Sequence, residues 1–570
     1  MSDDSLKTPY EKSSGNYAST YSEAINYYKM LASKFPEVHF LTYGMTDVGL
    51  PLNLVVVSSA KDFEINDARE GGKKMVILVN NAIHAGEPEG VDATMALVRD
   101  LVTKKEMHHL LDHVVFAVIP VYNIGGYLNR NKTSRVNQDG PEEYGFRGNA
   151  QNLDLNRDFV KCDSKNAKSF TEIFQAWKPE VFIDNHVSDG ADYQYVLTYF
   201  ATHYSKLPPT LGNYVKNVYQ PALEAQTKEM GFAMCPYVET LDETPDSGIV
   251  GFMETGRYAT GYTSLFNTIG LCVETHMLKP FNKRLDATYV FMHAALINAD
   301  KNWQDIMKAK KAGDEEIAKQ NEFVLDWVLD KSKHDDFLFQ GYEAGYKPSE
   351  VSGLPRLYYD RNKPFERNVP FYNYYEPLVK VTAPYYYILP QACDKAVERM
   401  KLNHIEMQRL THDTVLEIEM YHIDKYETNP HAYEMHYNHT NTVVKASTMK
   451  VRFHAGDYVI PVHQAGARYI VEALEPASPD SYFAWNFYDA ILQEKEYYSN
   501  YVFEDIAADL LKKDSTLRNS LEAKRKADPA FAASAKDQLD FVYRHSPYFE
   551  KEYMLYPVGR MMGKVDLGVE

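Results

Sequence analysis

An α/β fold is predicted for the first 311 residues: a mixed, mostly parallel sheet flanked by helices. Three observations predict it. Apolar runs of strand length recur at 75–79, 114–120, 180–184 and 268–273, each short and bounded as a buried strand is. Longer segments of helical periodicity lie between them, and that alternation is the α/β signature. The runs at 75–79, 180–184 and 268–273 each lead into His, Glu or Asn side chains, and the carboxyl edge of an open α/β sheet is where ligands bind.

Taken in order, residues 16–34 read as a first helix, and 39–43 and 53–58 as antiparallel edge strands. The strand at 75–79 passes through a turn to Pro88, which opens a helix carrying Val91, Leu97, Val98 and Leu101 on its apolar side. Strands at 114–120, 180–184, 194–200 and 268–273 follow, and a helix over 286–311 closes the first domain, residues 1–311. Residues 312–384 read as a mixed linking segment with a charged helical start and a Tyr/Pro-rich stretch from 358 to 387. A β-rich α/β domain is expected over 385–475, with a helix at 394–402 and strands at 415–420, 443–453 and 458–462. The remainder, 476–570, is expected to be helical, chiefly over 485–514 and 517–543. No internal repeat or low-complexity segment interrupts the chain.

Composition limits the function. The chain has 570 residues, 45% of them hydrophobic, enough for a large core and more than one domain. A net charge of −18 argues against a nucleic-acid surface. No apolar stretch is long enough to span a membrane. The four cysteines (Cys162, Cys235, Cys272, Cys393) have neither disulfide-framework nor metal-ligand spacing, so buried thiols are expected. The 44 tyrosines are expected mainly to fill sheet cores and domain interfaces. Oligomeric state is not legible.

The chemistry begins at Asn80-Asn81-Ala82-Ile83-His84-Ala85-Gly86-Glu87. His84 and Glu87 sit where a strand hands over to a helix, and an imidazole with a carboxylate suits zinc, which needs a third protein ligand. His186, at the end of the 180–184 run, supplies a second imidazole if the strand ends converge. The segment Phe146-Arg147-Gly148-Asn149-Ala150-Gln151-Asn152-Leu153-Asp154-Leu155-Asn156-Arg157 adds two arginines and an asparagine. Arg157 offers a planar fork for a carboxylate, with Asn156 a neutral donor beside it. Arg147 suits a polarised carbonyl or an oxyanion. The competing reading of both arginines is a structural ion pair with Asp154 or Asp158. Glu274, delivered by the 268–273 strand, is placed to act as a general base.

These motifs, in this order over roughly residues 15 to 300, resemble those of the M14 zinc metallocarboxypeptidases. The resemblance implies a hydrolase that removes C-terminal residues from peptides by way of a metal-activated water. It implies one zinc ion on His84, Glu87 and His186, a carboxylate clamp of Asn156 and Arg157, Arg147 as the electrophilic arginine, and Glu274 as the catalytic carboxylate. The partner is then a peptide with a free C-terminal carboxylate. His276 ranks below His186 as third ligand, because the family's third ligand precedes the catalytic Glu.

One departure stands out. Many family members carry a substrate-covering tyrosine about 20 residues before the catalytic Glu, and this chain has Phe252 there. Tyr258 and Tyr262 are the candidates to replace it, with Arg257 a further basic group in the same loop. Two other functions fit the residues: a peptidoglycan-peptide amidase or deacylase on the same scaffold, and a non-catalytic binding protein with a retained metal site. The polar N-terminus carries no signal region, as in a cytoplasmic protein or in a mature exported chain, and the resemblance favours export to the periplasm or the exterior.

Overall fold

The structure, a computed structural model, describes residues 4–13, 15–60, 65–188 and 190–570. The strands in chain order are β1 (Val38–Met45), β2 (Pro51–Val57), β3 (Met75–Asn81), β4 (Val114–Ile119), β5 (Val181–Ser188), β6 (Leu197–Ala201) and β7 (Met234–Pro236). Two short strands, β8 (Glu239–Thr240) and β9 (Ile249–Val250), precede β10 (Ile269–His276). Among the described residues the main sheet has eight strands, ordered β1-β2-β4-β3-β5-β10-β6-β7. Its centre, β4-β3-β5-β10, is parallel, whereas β1 and β2 pair antiparallel with each other, β2 with β4 and β6 with β10, and β7 runs parallel to β6. The expected pair of edge strands is half right: β1 is an edge, but β2 lies inside, against β4.

Parallel strands covered on both faces must be apolar on both sides, and β3 is buried at every position. Met75, Ile77 and Val79 join one core with helices Tyr21–Lys34, Glu89–Thr103 and Phe281–Ile317. Val76 and Leu78 join a second core, which holds Phe170 and Phe174 of helix Lys165–Trp177 together with Tyr387, Tyr469 and Tyr482 from the C-terminal half. Here the tyrosines fill interior space. Others, such as Tyr497 and Tyr501, are exposed.

Several boundaries differ from those predicted. The first helix begins at Tyr21, because Thr20 and Glu23 form a reciprocal capping box that halts it there. Strand β5 runs on to Ser188 and β10 to His276, so His186 and Glu274 lie within strands, not beyond them. The two strands pair in parallel through these last residues, which keeps each extended past its apolar run. The closing helix is longer than predicted, Phe281–Ile317, with a non-helical residue at Asn302.

The segment 312–384 does start helical, on the end of this helix, and then holds β11 (Glu322–Leu329), β12 (Asp335–Pro348), β13 (Pro355–Tyr372) and β14 (Tyr375–Thr382). A six-stranded sheet follows, made of β15 (Tyr386–Leu389), β16 (Gln408–Arg409), β17 (Thr414–Thr428), β18 (His439–Phe453), β19 (Tyr458–Pro461) and β20 (Gly559–Met561). The helix expected over 485–514 is confined to Asn500–Lys513. The one expected over 517–543 is three: Ser515–Ala527, Pro529–Ala533 and Ala535–Arg544, each opened by a side-chain cap from Asp514, Asp528 or Ser534.

Asn80 and Asn81 of β3 and Asp184 and Asn185 of β5 lock the register beneath the site. Asn80 Nδ2 donates to Asp184 Oδ1 at 2.9 Å, and Asn185 Nδ2 donates to Asn81 Oδ1 at 2.8 Å. Gly90, in the first turn of the following helix, lies directly on this ladder. A Cβ there would fall 2.3 Å from Asn81 Oδ1, so the helix can approach only without a side chain.

Candidate metal centre and cleft

Beyond β3 the chain turns through Ala82, in the left-handed region at φ +55°, and the Glu87 N–H closes a turn onto the His84 carbonyl at 3.0 Å. That turn aims His84 and Glu87 at His186 on β5. The His84 and His186 Nδ1 atoms are 3.2 Å apart. Glu87 Oε1 lies 3.1 Å from His84 Nδ1 and Oε2 lies 3.2 Å from His186 Nδ1. All three residues are buried, and together they form a group able to hold a metal ion. His276, the alternative ligand, is elsewhere: it is fully buried and stacked on Tyr193 with centroids 4.1 Å apart.

The outer contacts test whether the group fits a metal. His186 Nε2 meets Asp184 Oδ2 at 2.8 Å, and His84 Nε2 meets Asp154 Oδ1 at 3.2 Å. A carboxylate on Nε2 holds the proton there and leaves the Nδ1 lone pair free. Two such lone pairs and the Glu87 carboxylate then converge on one point, an arrangement that a cation relieves. The donor set, two imidazoles and one carboxylate with one direction open to a cavity, fits zinc. Burial alone would raise the Glu87 carboxyl, but Arg135 and the two imidazoles more than offset this and hold it well below the usual range.

A cavity of about 620 Å³ opens from the triad. Arg147, Asn156, Arg157, Tyr258 and Glu274 all line it. Asp154 caps the short helix Leu155–Arg157, accepts from the Asn156 N–H at 2.9 Å, and receives Arg147 Nε at 3.0 Å. Both readings of Arg147 therefore hold at once: it pairs with Asp154 and still faces the cavity. Asn156 Oδ1 accepts from the Ala259 N–H at 3.0 Å, which leaves its amide N–H₂ as the donor toward the cavity. The Arg157 guanidinium lies 4.4 Å from the centroid of the Tyr258 ring. The ion-pair partner of Arg157 is Asp154, with Nη1 3.9 Å from Oδ2, and not Asp158, which is paired with Lys161.

Glu274 stands opposite His186 in the β5–β10 register. Its nearest polar partner is the Cys272 thiol at 3.6 Å. Burial raises its carboxyl above the usual carboxylate range; the His186 imidazole opposes that, and the Glu87 charge reinforces it. Tyr262 is not brought to the site. It is fully buried, its hydroxyl bonded to Asn403 Oδ1 at 2.6 Å and its ring packed among Phe159, Phe174 and Phe266. Arg257 lines the cavity but is held by Asp480, through its N–H at 2.8 Å and its Nε at 2.7 Å.

Sequence reasoning missed four contributors. Arg135 pairs with Glu87 and lines the cavity, as do Glu254, Phe200 and Tyr237. None stands in a motif. Asp184 did carry a signal, since alternate strand residues share a face and it stands two before His186.

The comparisons with known proteins agree with this geometry. Residues 24–192 match the family model described as "Zinc carboxypeptidase". A Carboxypeptidase 2 of Trichophyton rubrum is 21% identical over 72% of this chain and 73% of its own length. A Carboxypeptidase 2 of Trichophyton tonsurans is 20% identical over 72% and 73%. Among solved structures, a metallo-carboxypeptidase from Burkholderia cenocepacia is 17% identical, covering 50% of this chain and 70% of its own, with a TM-score of 0.37. Over residues 24–192 the chain is similar to the zinc carboxypeptidase family, and the curated relatives it resembles are named carboxypeptidases. It is thus a hydrolase of the metallopeptidase class, acting on peptides. Among the described residues no helix is long and apolar enough to cross a membrane.

Proposed function

We propose that this chain is a zinc-dependent exopeptidase that removes single C-terminal residues from peptides with a free carboxylate. One observation carries the reading: a metal triad, an uncommitted carboxylate and an Asn–Arg pair line one cavity. His84, Glu87 and His186 would hold one zinc ion. When bound, the ion supplies Lewis acidity, polarising the scissile carbonyl and making a water acidic near neutral pH.

The chain's own groups do the rest. Arg157 and Asn156 bind the terminal carboxylate of the substrate, and that anchorage sets which peptide bond reaches the triad. Arg147, on the same wall, donates to the carbonyl oxygen as negative charge develops there. Glu274 takes the proton of the attacking water and hands it to the leaving amine. Burial suits it to this exchange, because a carboxyl with a raised pKa accepts a proton readily and releases it near neutrality.

The test is one peptide series with free and amidated C-termini, incubated with the zinc-loaded chain. Free ends should be cut one residue at a time and amidated ends should resist. Arg157→Ala should lower kcat/KM at least about tenfold, since a hydrogen bond involving a charged group contributes roughly 1.5–3 kcal/mol. Equal cleavage of both forms would overturn the reading in favour of an endopeptidase or amidase. No cleavage with zinc bound would favour a binding protein.

A further inference from the structure

A second cavity, of about 200 Å³, lies at the other end of β10 from the metal triad. Thr268, which leads into the strand, lines it, and Glu274 lies beyond, about 20 Å away along an extended strand. Its walls come from both halves of the chain: Phe174, Gln175 and Lys178 at the end of helix Lys165–Trp177, Phe266 before β10, and the turns at 403–406 and 464–466. Interfaces between domains are where small-molecule pockets tend to form.

Two helices end at this cavity, and each ends in the left-handed region on a residue with a large side chain. Lys178 caps helix Lys165–Trp177 at φ +45°, and His404 follows helix Asp394–Leu402 at φ +53°. Glycine is the ordinary occupant of such a position, since a Cβ there is strained. Here a Lys and a His stand instead, and both line the cavity. Among the described residues neither side chain has a hydrogen bond or an ion pair, and the Glu406 carboxylate on the same rim has none either. Lys310 and Asp314 are engaged, Lys310 with the Phe266 carbonyl at 2.9 Å and Asp314 with Asn267 Nδ2 at 2.8 Å. The floor is apolar: the Phe174 and Phe266 rings lie 5.8 Å apart between centroids, and Ile405 lines it too. Gln175 is 4% exposed. Its Nε2 reaches Asn403 Oδ1 only at 3.4 Å, and its Oε1 accepts no hydrogen bond among the described residues.

We infer that this cavity binds a free apolar amino acid. Lys178 and His404 take its carboxylate, Glu406 and the Gln175 side-chain oxygen take its ammonium, and its side chain lies against Phe174, Phe266 and Ile405. Uncommitted groups of both signs on one rim suit a zwitterion better than a simple anion or cation. Such a ligand is of the class the proposed activity releases, yet the site stands whether or not peptides are cut.

The test is calorimetry on the full chain with L-phenylalanine, set against three molecules that each lack one part: L-phenylalaninamide, 3-phenylpropionate and free glycine. L-Phenylalanine should bind at least tenfold more tightly than any of them. A released residue can also rest in the metal cleft, so the titration is repeated in Arg157→Ala, whose cleft has lost its proposed clamp, and there the binding should persist. In Lys178→Gly/His404→Gly it should weaken at least tenfold. Glycine suits both left-handed positions, so this double variant should melt no lower than the wild type, which separates a ligand-binding role from a capping one. Should it fail to fold, Glu406→Gln takes its place, with the same tenfold loss expected. No binding of L-phenylalanine at millimolar concentration overturns the site. Binding lost in Arg157→Ala and kept in the double variant overturns it too, because the amino acid then sits in the metal cleft. Equal binding of L-phenylalanine and free glycine does the same, since it leaves the apolar floor unused.

Discussion

Asp154 donates its backbone N–H to the Glu434 carboxylate at 2.8 Å, across 280 residues of sequence. The Asp154 side chain is the one that holds His84 and Arg147, so a residue from the loop between β17 and β18 supports the residue behind the metal triad. The contact is not isolated. His436 Nε2 meets Asp163 Oδ2 at 2.8 Å, Arg399 donates to the Lys161 and Cys162 carbonyls, and Asp480 holds Arg257. The C-terminal half thus buttresses the Asn156–Arg157 turn and the 257 loop.

Glu434→Ala should therefore reach the site from a distance. It leaves a partly buried N–H without its acceptor, a loss of about 1–3 kcal/mol. Chemical denaturation should register that loss, and kcat/KM should fall several-fold as Asp154 loosens its hold on His84. Glu434→Gln keeps an acceptor oxygen and should recover most of both. Unchanged stability and kinetics in the alanine variant would make the contact incidental.

A proposed ligand and the carboxylate behind it should differ in their effect on zinc. His186→Ala removes a ligand and should strip most zinc from the purified protein. Asp184→Asn keeps the ligand but replaces the carboxylate that fixes its Nε2 proton, which should weaken zinc affinity about 10- to 100-fold. Competition with a chelator of known affinity measures both. Full zinc occupancy in His186→Ala would reject His186 as a ligand.

Glu274→Gln should retain both metal and fold while losing about 10²- to 10⁴-fold in kcat, the usual contribution of a positioned acid–base group. Amide and carboxyl are nearly isosteric, and among the described residues Glu274 makes no ion pair whose loss would unfold β10. Elemental analysis, thermal melting and steady-state kinetics on one preparation separate these effects. Near-native turnover would end the assignment.

The convergence of His84, Glu87 and His186 was legible because each follows an apolar run whose end lies at one sheet edge. The turn at Asp154–Arg157 was legible as a motif, but not its dependence on Glu434, since nothing local marks a contact between residues so far apart. Glu254 and Arg135 sit in loops, where side-chain direction depends on packing and no period applies. Strand ends were misjudged at His186 and Glu274 because hydrogen bonding between β5 and β10 carries polar residues into the ladder, beyond the reach of hydropathy. The β12 and β13 strands escaped notice because much of their length is exposed on both faces, so no clean alternation marks them. Tyr262 misled for the opposite reason: a hydroxyl near a loop suggests a surface role, yet Asn403 satisfies it deep inside.

The pairing of Glu274 with His186 across β5 and β10 also has a meaning in time. The metal-binding residues and the proposed base come from three strands or strand ends spread over nearly two hundred residues of sequence, and they meet only when the centre of the sheet has closed. Non-local strand pairs of this kind form late, after the chain entropy of the intervening loops has been overcome. A chain emerging from the ribosome therefore carries its metal-binding His84 and Glu87 long before it owns a base. The proposed hydrolytic site stays incomplete until β10 has been made and seated. Strand order thus sets the moment at which the proposed site is first complete.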